Sequence, residues 1–296
     1  MQESISSYLT EKANLIQNAF DLYLPKTERY PSIIYESMRY SLLAGGKRIR
    51  PILVLTVAET VGLDPKQAMP FACAIEMIHT YSLIHDDLPA MDNDDYRRGN
   101  LTNHKVYGDG LAILAGDALL TLAFQLMAQS APVGKEREVL DMIQELGQAS
   151  GVEGMIGGQV ADIINEGIQA DADMLTYIHE HKTGALLAAS VRIGAILAGV
   201  GEDELLSFTT YARRLGLAFQ IVDDILDVTG EADKLGKAVG ADAALSKSTY
   251  PSLYGLEESI RMVNELTEQA LAALELLPYD TTRLKEIALY LLQRDH

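Results

Sequence analysis

The sequence predicts an all-α protein, a single large helical bundle of about ten or more helices in one domain spanning residues 1–296. Three observations carry that expectation. Apolar residues recur at three- and four-residue spacing, as in Leu215, Phe219, Val222 and Leu226, which is the period of one helix face. Two-residue alternation, the mark of a half-buried strand, is nearly absent. Glycine and proline stand where helices would end, and no Ser/Pro-rich joint, low-complexity run or fixed-period repeat divides the chain.

In chain order, Gly45-Gly46 ends the first helical stretch and Gly62 to Pro65 the next. The apolar run through Ile75, Ile78 and Leu83 forms another, which Pro89 interrupts, because proline cannot donate to the helical ladder and disfavours helical geometry at the preceding residue. Further breaks fall at Gly108 to Gly110, Pro132 to Gly134, Gly199 to Gly201, Gly230 and Gly236 to Gly240. Between them, residues 110–128 and 184–200 are apolar nearly all round, which predicts burial inside a large bundle.

Composition narrows function. The 42 acidic against 24 basic residues give a net charge of −18, which excludes a strongly basic, nucleic-acid-binding role. With 48% hydrophobic and 22% charged residues the chain can bury a substantial core, and disorder or fibrous repetition is excluded. The single cysteine, Cys73, rules out an intrachain disulfide and points to a reducing compartment. The first residues, MQESISSYLTEKANLIQ, have neither the basic nor the apolar region of a signal peptide. The two apolar stretches are interrupted by Asp117 and Arg192, short of the about 20 uninterrupted residues a membrane span needs. A soluble, cytoplasmic protein without a membrane span is expected.

Two acidic clusters stand out. His85-Asp86-Asp87 to Asp92, Asp94 and Asp95 places five aspartates in ten residues after an apolar helical run. On an ideal helix Asp86 and Asp92 would lie about 240° apart, so only a turn wound out at Pro89 brings them together. In Phe219-Gln220-x2-Asp223-Asp224-x2-Asp227 the outer aspartates are i and i+4, about 40° apart on one face. Such pairs repel unless a shared cation reverses the sign, and all-carboxylate ligation suits Mg²⁺ or Mn²⁺ over zinc. Mg²⁺ takes few carboxylates and completes its shell with water and phosphate oxygens, so two sparse clusters suggest a metal-bound diphosphate. Alternatively each is a solvated acidic surface, although both are interleaved with apolar residues. Tyr96 stands where an EF-hand starting at Asp92 would need an oxygen ligand.

Basic residues are sparse and grouped: Lys47, Arg48 and Arg50 after Gly45-Gly46, then Arg97-Arg98, His181-Lys182-Thr183, Lys234 and Lys237. They are candidates for phosphate contacts, Arg as a bidentate donor and Lys as a point charge. Each has another reading. Gly45-Gly46-Lys47-Arg48 fits a helix C-cap followed by solvated cations, and is no P-loop, since neither Ser nor Thr follows the Lys. Thr183 fits a helix N-cap, Arg97-Arg98 fits neutralisation of Asp94 and Asp95, and His79 fits a core histidine.

Together the blocks Asp86-Asp87-x4-Asp92-x4-Arg97-Arg98-Gly99, Gly157-Gly158-Gln159-x2-Asp162, Lys182-Thr183-Gly184, Phe219-Gln220-x2-Asp223-Asp224-x2-Asp227 and Gly236-Lys237-x2-Gly240-x-Asp242 resemble the trans-prenyl diphosphate synthases, from about Gly45 to Pro251. The segment 78–87 most resembles the bacterial branch that makes farnesyl diphosphate. The resemblance implies a homodimer of the isoprenoid synthase fold, with an elongated cavity in each subunit. It implies Mg²⁺-dependent, head-to-tail condensation of isopentenyl diphosphate with dimethylallyl and then geranyl diphosphate, three ions (Mn²⁺ being an alternative) serving each site. By resemblance, Asp86, Asp92 and Asp223, and less directly Asp87 and Asp227, hold metal on the allylic diphosphate, which Arg97, Lys182 and Lys237 also contact. Lys47, Arg50, His79 and Arg98 bind isopentenyl diphosphate, and Thr183 and Gln220 lie along the carbon that becomes cationic.

Product length is implied by Tyr81, five residues and more than one helical turn before Asp86. A ring there blocks the growing chain, and in the family an aromatic accompanies the fifteen-carbon product, whereas Met followed by Ser, as Ser82 follows here, accompanies twenty carbons. Alternatively Tyr81 only packs against a neighbouring helix. Geranylgeranyl diphosphate synthase and a non-catalytic partner subunit of a longer-chain synthase are the competing functions. A terpene cyclase has no use for a second diphosphate site at Lys47, Arg50 and Arg98. Leu101, where Pro is frequent, and Val222, where Arg is frequent, depart from the family pattern. The C-terminal Gln293 to His296 is a candidate for closing over the site.

Overall fold

The computed structural model describes residues 4–167, 171–229 and 248–292, and the chain divides into two compact units, Met1–Ile143 and Gln144–His296. Apart from one two-residue hairpin, the described regular structure is helical. The all-α expectation is met.

The first unit contains α1 (Ile5–Tyr23), α2 (Ser32–Leu42), α3 (Ile49–Thr60), α4 (Pro65–Asp86), β1 (Tyr96–Arg97), β2 (Asn100–Leu101), α5 (Asn103–Tyr107), α6 (Asp109–Gln129) and the start of α7 (Glu136–Ser150). Helix α4 is its axis: it packs against α1, α2, α3 and α6, and Phe71 to Ile78 are buried without a gap. Its start follows from local chemistry. Asp64 accepts the Lys66 N–H through its side chain and Pro65 supplies the first helical residue, where a missing N–H costs nothing. Helix α3 starts differently from the solvated cations suggested by Gly45-Gly46-Lys47-Arg48. Lys47 is exposed, but Arg48 is 3% exposed. Its guanidinium donates to Glu76, to Gln17 Oε1 at 2.9 Å and to the Leu42 carbonyl. Arg48 is therefore a buried tie between α1, α2, α3 and α4. The Cys73 thiol is also buried, and burial pushes its pKa up.

The second unit continues through α8 (Met155–Ile164), α9 (Ala172–Ile178), a π-helical turn (His179–Gly184), α10 (Ala185–Ala198), α11 (Glu202–Thr229), α12 (Tyr250–Tyr254), α13 (Leu256–Glu275) and α14 (Thr282–Leu292). Helix α11 packs against α10, the π turn, α12, α13 and α14. Ala218, Ile221 and Val222 form a buried cluster with Tyr250, Val263 and Leu266, so α11 interleaves core residues with the half-buried Asp223 and Asp227.

The two helices that read as apolar all round behave differently. Ten of the 14 residues of α10 are buried, as expected, against seven of the 21 in α6. Ile113 and Leu114 on α6 are 44% and 54% exposed. On length and composition alone, α6 is the one helix among the described residues that could cross a membrane. It packs along α4, α2 and α5.

Candidate active site

The first acidic cluster sits where α4 ends. The chain turns at Pro89 and returns, so that the Asp92 N–H donates to the Asp86 carbonyl at 2.8 Å and the Asn93 N–H to Leu88 at 3.1 Å. The wound-out turn thus returns Asp92 to the end of the helix that carries Asp86. Asp86 is half-buried and Asp92 exposed. Asp87 is turned inward and 3% exposed, and Arg97 Nε donates to its Oδ1 at 2.7 Å. Burial pushes the Asp87 carboxyl above the ordinary aspartate range, and Arg97 pulls it part of the way back.

A tight hairpin delivers the two arginines. Tyr96 pairs with Leu101 and Arg97 with Asn100, leaving Arg98 and Gly99 as a two-residue turn with φ of 53° and 77°. Both values are positive, as a hairpin turn matched to strand twist requires. Arg97 is thereby directed to Asp87, and Arg98 to the Gly45 carbonyl. A Cβ at Gly46 would lie 2.5 Å from Arg98 Cζ, so the guanidinium lies flat against glycine backbone. Thr102, donating to the Asp94 carbonyl at 2.8 Å, and the Lys105–Asp95 pair at 2.8 Å brace the far end.

Behind this hairpin, Arg50 Nη1 lies 3.3 Å from His79 Nε2. Arginine only donates, so Nε2 accepts and the imidazole is neutral with its proton on Nδ1. Burial, and after it the charges of Arg50 and Arg98, hold the His79 pKa well below its ordinary value. Tyr81 is 5% exposed, and burial, with Asp86 second, pushes its pKa up to about 12. Ser82 donates back to the His79 carbonyl at 2.9 Å, within its own helix.

In the second unit, Asp223 and Asp227 lie one turn apart on the continuous helix α11, both half-buried. Asp224 between them points inward, 4% exposed. Its Oδ2 accepts the Tyr250 backbone N–H at 3.0 Å and lies 3.2 Å from His179 Nε2. The middle aspartate is thus a structural tie that links α11, α12 and the π turn.

That π turn, His179–Gly184, holds Lys182 and Thr183. Helix α9 runs through it into α10, and Gly184 is right-handed helical with φ −66° and ψ −38°. Thr183 is therefore no N-cap, because no helix begins there. Lys182 Nζ donates to Asp162 Oδ2 at 2.7 Å. Helix α8 comes so close that a Cβ on Gly158 would stand 2.7 Å from Lys182 Cα. On the other side Gly216 of α11 faces Gly184, its Cβ position 3.3 Å from Gly184 Cα. Two glycines let two helices clamp the widened turn, the kind of irregularity that gathers at functional sites.

Among the described residues, no three His, Cys, Asp or Glu side chains are close enough to hold a metal by themselves. The carboxylates at Asp86 with Asp92, and at Asp223 with Asp227, form two sparse all-oxygen sets. They fit Mg²⁺, whose remaining positions go to water and phosphate oxygens. Gln220 is half-buried on α11, one turn before Asp223, and Lys47 is exposed before α3. Lys237 and the tail 293–296 lie outside the described residues. His179 lies in no sequence motif, and Asp224, though inside the second aspartate block, had no separate role there, since both parts are set by a tertiary contact.

The polyprenyl synthetase family model matches residues 31–279. The farnesyl diphosphate synthase of Geobacillus stearothermophilus is 46% identical, covering 100% of this chain and 99% of its own length. The geranylgeranyl diphosphate synthase of Cyanophora paradoxa is also 46% identical, covering 97% and 94%. Among solved structures, the apo FPP/GFPP synthase of Zymomonas mobilis superimposes with a TM-score of 0.87 at 36% identity, over 97% of this chain and 98% of that one.

Proposed function

Since the chain belongs to the polyprenyl synthetase family and is a trans-prenyl diphosphate synthase, we propose that it makes farnesyl diphosphate, as one synthase domain spanning 1–296. The reaction is the condensation of isopentenyl diphosphate with dimethylallyl and then geranyl diphosphate. The observation that carries the fifteen-carbon product is Tyr81, a buried ring on α4 more than one turn before Asp86.

Asp86, Asp92, Asp223 and Asp227, with Asp87 once Arg97 releases it, would hold Mg²⁺, or Mn²⁺, on the allylic diphosphate. The ions, three by analogy with the family, neutralise charge on the departing diphosphate. Lys182, Arg97 and Lys237 contact that group, and donors placed where charge develops favour the transition state over the ground state. Lys47, Arg50, Arg98 and neutral His79 bind isopentenyl diphosphate. Thr183 and Gln220 would offer oxygen lone pairs along the allylic carbon, and the apolar cavity implied by the family would keep water from the cation. By analogy with the family, the departing diphosphate would take the proton.

The chain acts as a cytoplasmic homodimer in this reading. The exposed apolar residues Ile113 and Leu114 of α6 support the dimer, and the single buried cysteine suits a reducing compartment. Ser82 and the Cyanophora relative favour a second reading, geranylgeranyl diphosphate synthase. Both aspartate clusters are complete, which argues against a non-catalytic subunit. The purified chain with Mg²⁺, geranyl diphosphate and isopentenyl diphosphate should yield fifteen-carbon product by chromatography. Absence of any product would falsify the enzymatic reading, and a dominant twenty-carbon product would select the second one.

A further inference from the structure

The Tyr81 ring needs something to hold it if it is to end a growing chain, and its own hydroxyl does not. The hydroxyl is buried and has no hydrogen-bond partner among the described residues. What meets the ring is His85, one turn further along α4, edge to face with centroids 5.7 Å apart and planes at 78°. His85 is fixed in turn from α6. Its Nε2 lies 3.0 Å from the Ile113 carbonyl, an acceptor, so Nε2 carries the proton and donates. Asp117 Oδ1 lies 4.0 Å from the same nitrogen. The imidazole occupies space that exists only because residue 116 is glycine: a Cβ there would stand 2.5 Å from His85 Cδ2 and 2.9 Å from Cε1.

We propose that His85, seated on Gly116 and tied to the Ile113 carbonyl, is a positioning residue for product length that holds Tyr81 across the path of the isoprenoid chain. This rests on the reading of Tyr81 as the chain stop. Release of His85 frees the Tyr81 ring to turn aside, because among the described residues neither its hydroxyl nor another ring contact replaces the lost edge. Each condensation uses the same diphosphate-binding groups, so the ratio of twenty- to fifteen-carbon product reports termination separately from the rate of bond formation.

The test compares Gly116→Ala, His85→Ala, His85→Phe and Tyr81→Ala as purified enzymes given geranyl and isopentenyl diphosphates, with products resolved by chain length. Gly116→Ala and His85→Ala should each raise the ratio of twenty- to fifteen-carbon product about two- to tenfold, the worth of one aromatic pair. His85→Ala only removes atoms, so it decides the matter if the alanine at 116 prevents folding. His85→Phe restores an aromatic edge and should bring the ratio back towards wild type; a ratio equal to that of His85→Ala overturns the edge contact. Wild-type products from His85→Ala while Tyr81→Ala lengthens them overturn the positioning role. Wild-type products from Tyr81→Ala refute instead the underlying assignment of Tyr81.

Discussion

Gly158→Ala should slow catalysis without touching any charged group. The added Cβ would meet Lys182 N closest of all, then Lys182 Cα at 2.7 Å and the His181 carbonyl carbon at 2.8 Å, against ordinary contact from 3.4 Å. Backbone on both sides means neither partner can swing away as a flexible side chain would, so the π turn must shift by at least about 0.7 Å. Lys182 and Thr183 ride on that turn. A misplacement near 1 Å costs on the order of 10²-fold where reacting groups must be aligned, so kcat should fall roughly ten- to hundredfold. Overpacking costs about 1–3 kcal/mol, which for a chain of this size lowers the melting temperature by a few degrees per kcal/mol. Steady-state kinetics with geranyl diphosphate and a thermal melt read the two effects. Wild-type kcat with an unchanged melt would refute the close approach. A lowered melt with unchanged kcat would refute the assignment of Lys182 and Thr183 to the reaction.

Asp224→Ala orphans the buried Tyr250 N–H and should cost about 1–3 kcal/mol, whereas Asp224→Asn keeps an acceptor oxygen and should cost less; equal melts for the two variants would contradict the tie. Arg48→Met strands Glu76, whose side chain is 1% exposed, and should destabilise by roughly 3–5 kcal/mol. Adding Glu76→Leu should recover much of that loss in urea unfolding, and no recovery would refute the buried pair. His79 is held well below its ordinary value of 6.5, so the unfolded chain binds its proton first. Its contribution to stability is complete above pH 6.5 and is lost as the pH falls below that, so the urea midpoint should drop between pH 7 and 5. The drop should be shallower in His79→Asn, and an identical slope would show that His79 does not titrate as argued.

Helix boundaries were legible where glycine or proline ends a helix for reasons local to the backbone. The Gly62 to Pro65 break separates α3 from α4, Gly108 separates α5 from α6, and Gly199 to Gly201 separates α10 from α11. Reading failed where the same residue types serve packing. Thr183 caps no helix at Gly184, and the glycine that packing requires there is Gly216 of α11, whose missing side chain admits the Gly184 backbone. Gly116 lies inside α6 for the sake of His85. The π turn has no periodic signature, and the hairpin is only two residues a side, too short for alternation to show. In the candidate site, spacing alone placed Asp223 and Asp227 on one face, and Pro89 foretold the return of Asp92. Spacing could not separate the inward Asp87 and Asp224 from their neighbours, because which carboxylate turns inward depends on Arg97 and His179, distant in sequence from one of them.

The net charge of −18 suggests a molecule that repels a diphosphate, yet two of the motif cations are already matched to motif carboxylates. Arg97 is paired with Asp87 and Lys182 with Asp162. Binding a diphosphate at these cations is then an exchange of partners. Asp87 is 3% exposed, and a buried carboxylate stripped of its arginine is strongly destabilising. Arg97 can turn to a phosphate at low cost only if another cation replaces it at Asp87. Metal and diphosphate should therefore bind with positive coupling of about 1–3 kcal/mol, a 5- to 150-fold effect. Titration calorimetry with inorganic diphosphate, with and without Mg²⁺, measures it directly. In Asp87→Asn the competing charge is gone, so affinity for diphosphate without Mg²⁺ should rise while the gain from added Mg²⁺ shrinks. Mg²⁺ itself pairs with diphosphate in solution, so the comparison between Asp87→Asn and wild type is the decisive one. A metal-free affinity that falls in Asp87→Asn would refute the exchange and assign Asp87 to orienting Arg97 for phosphate instead.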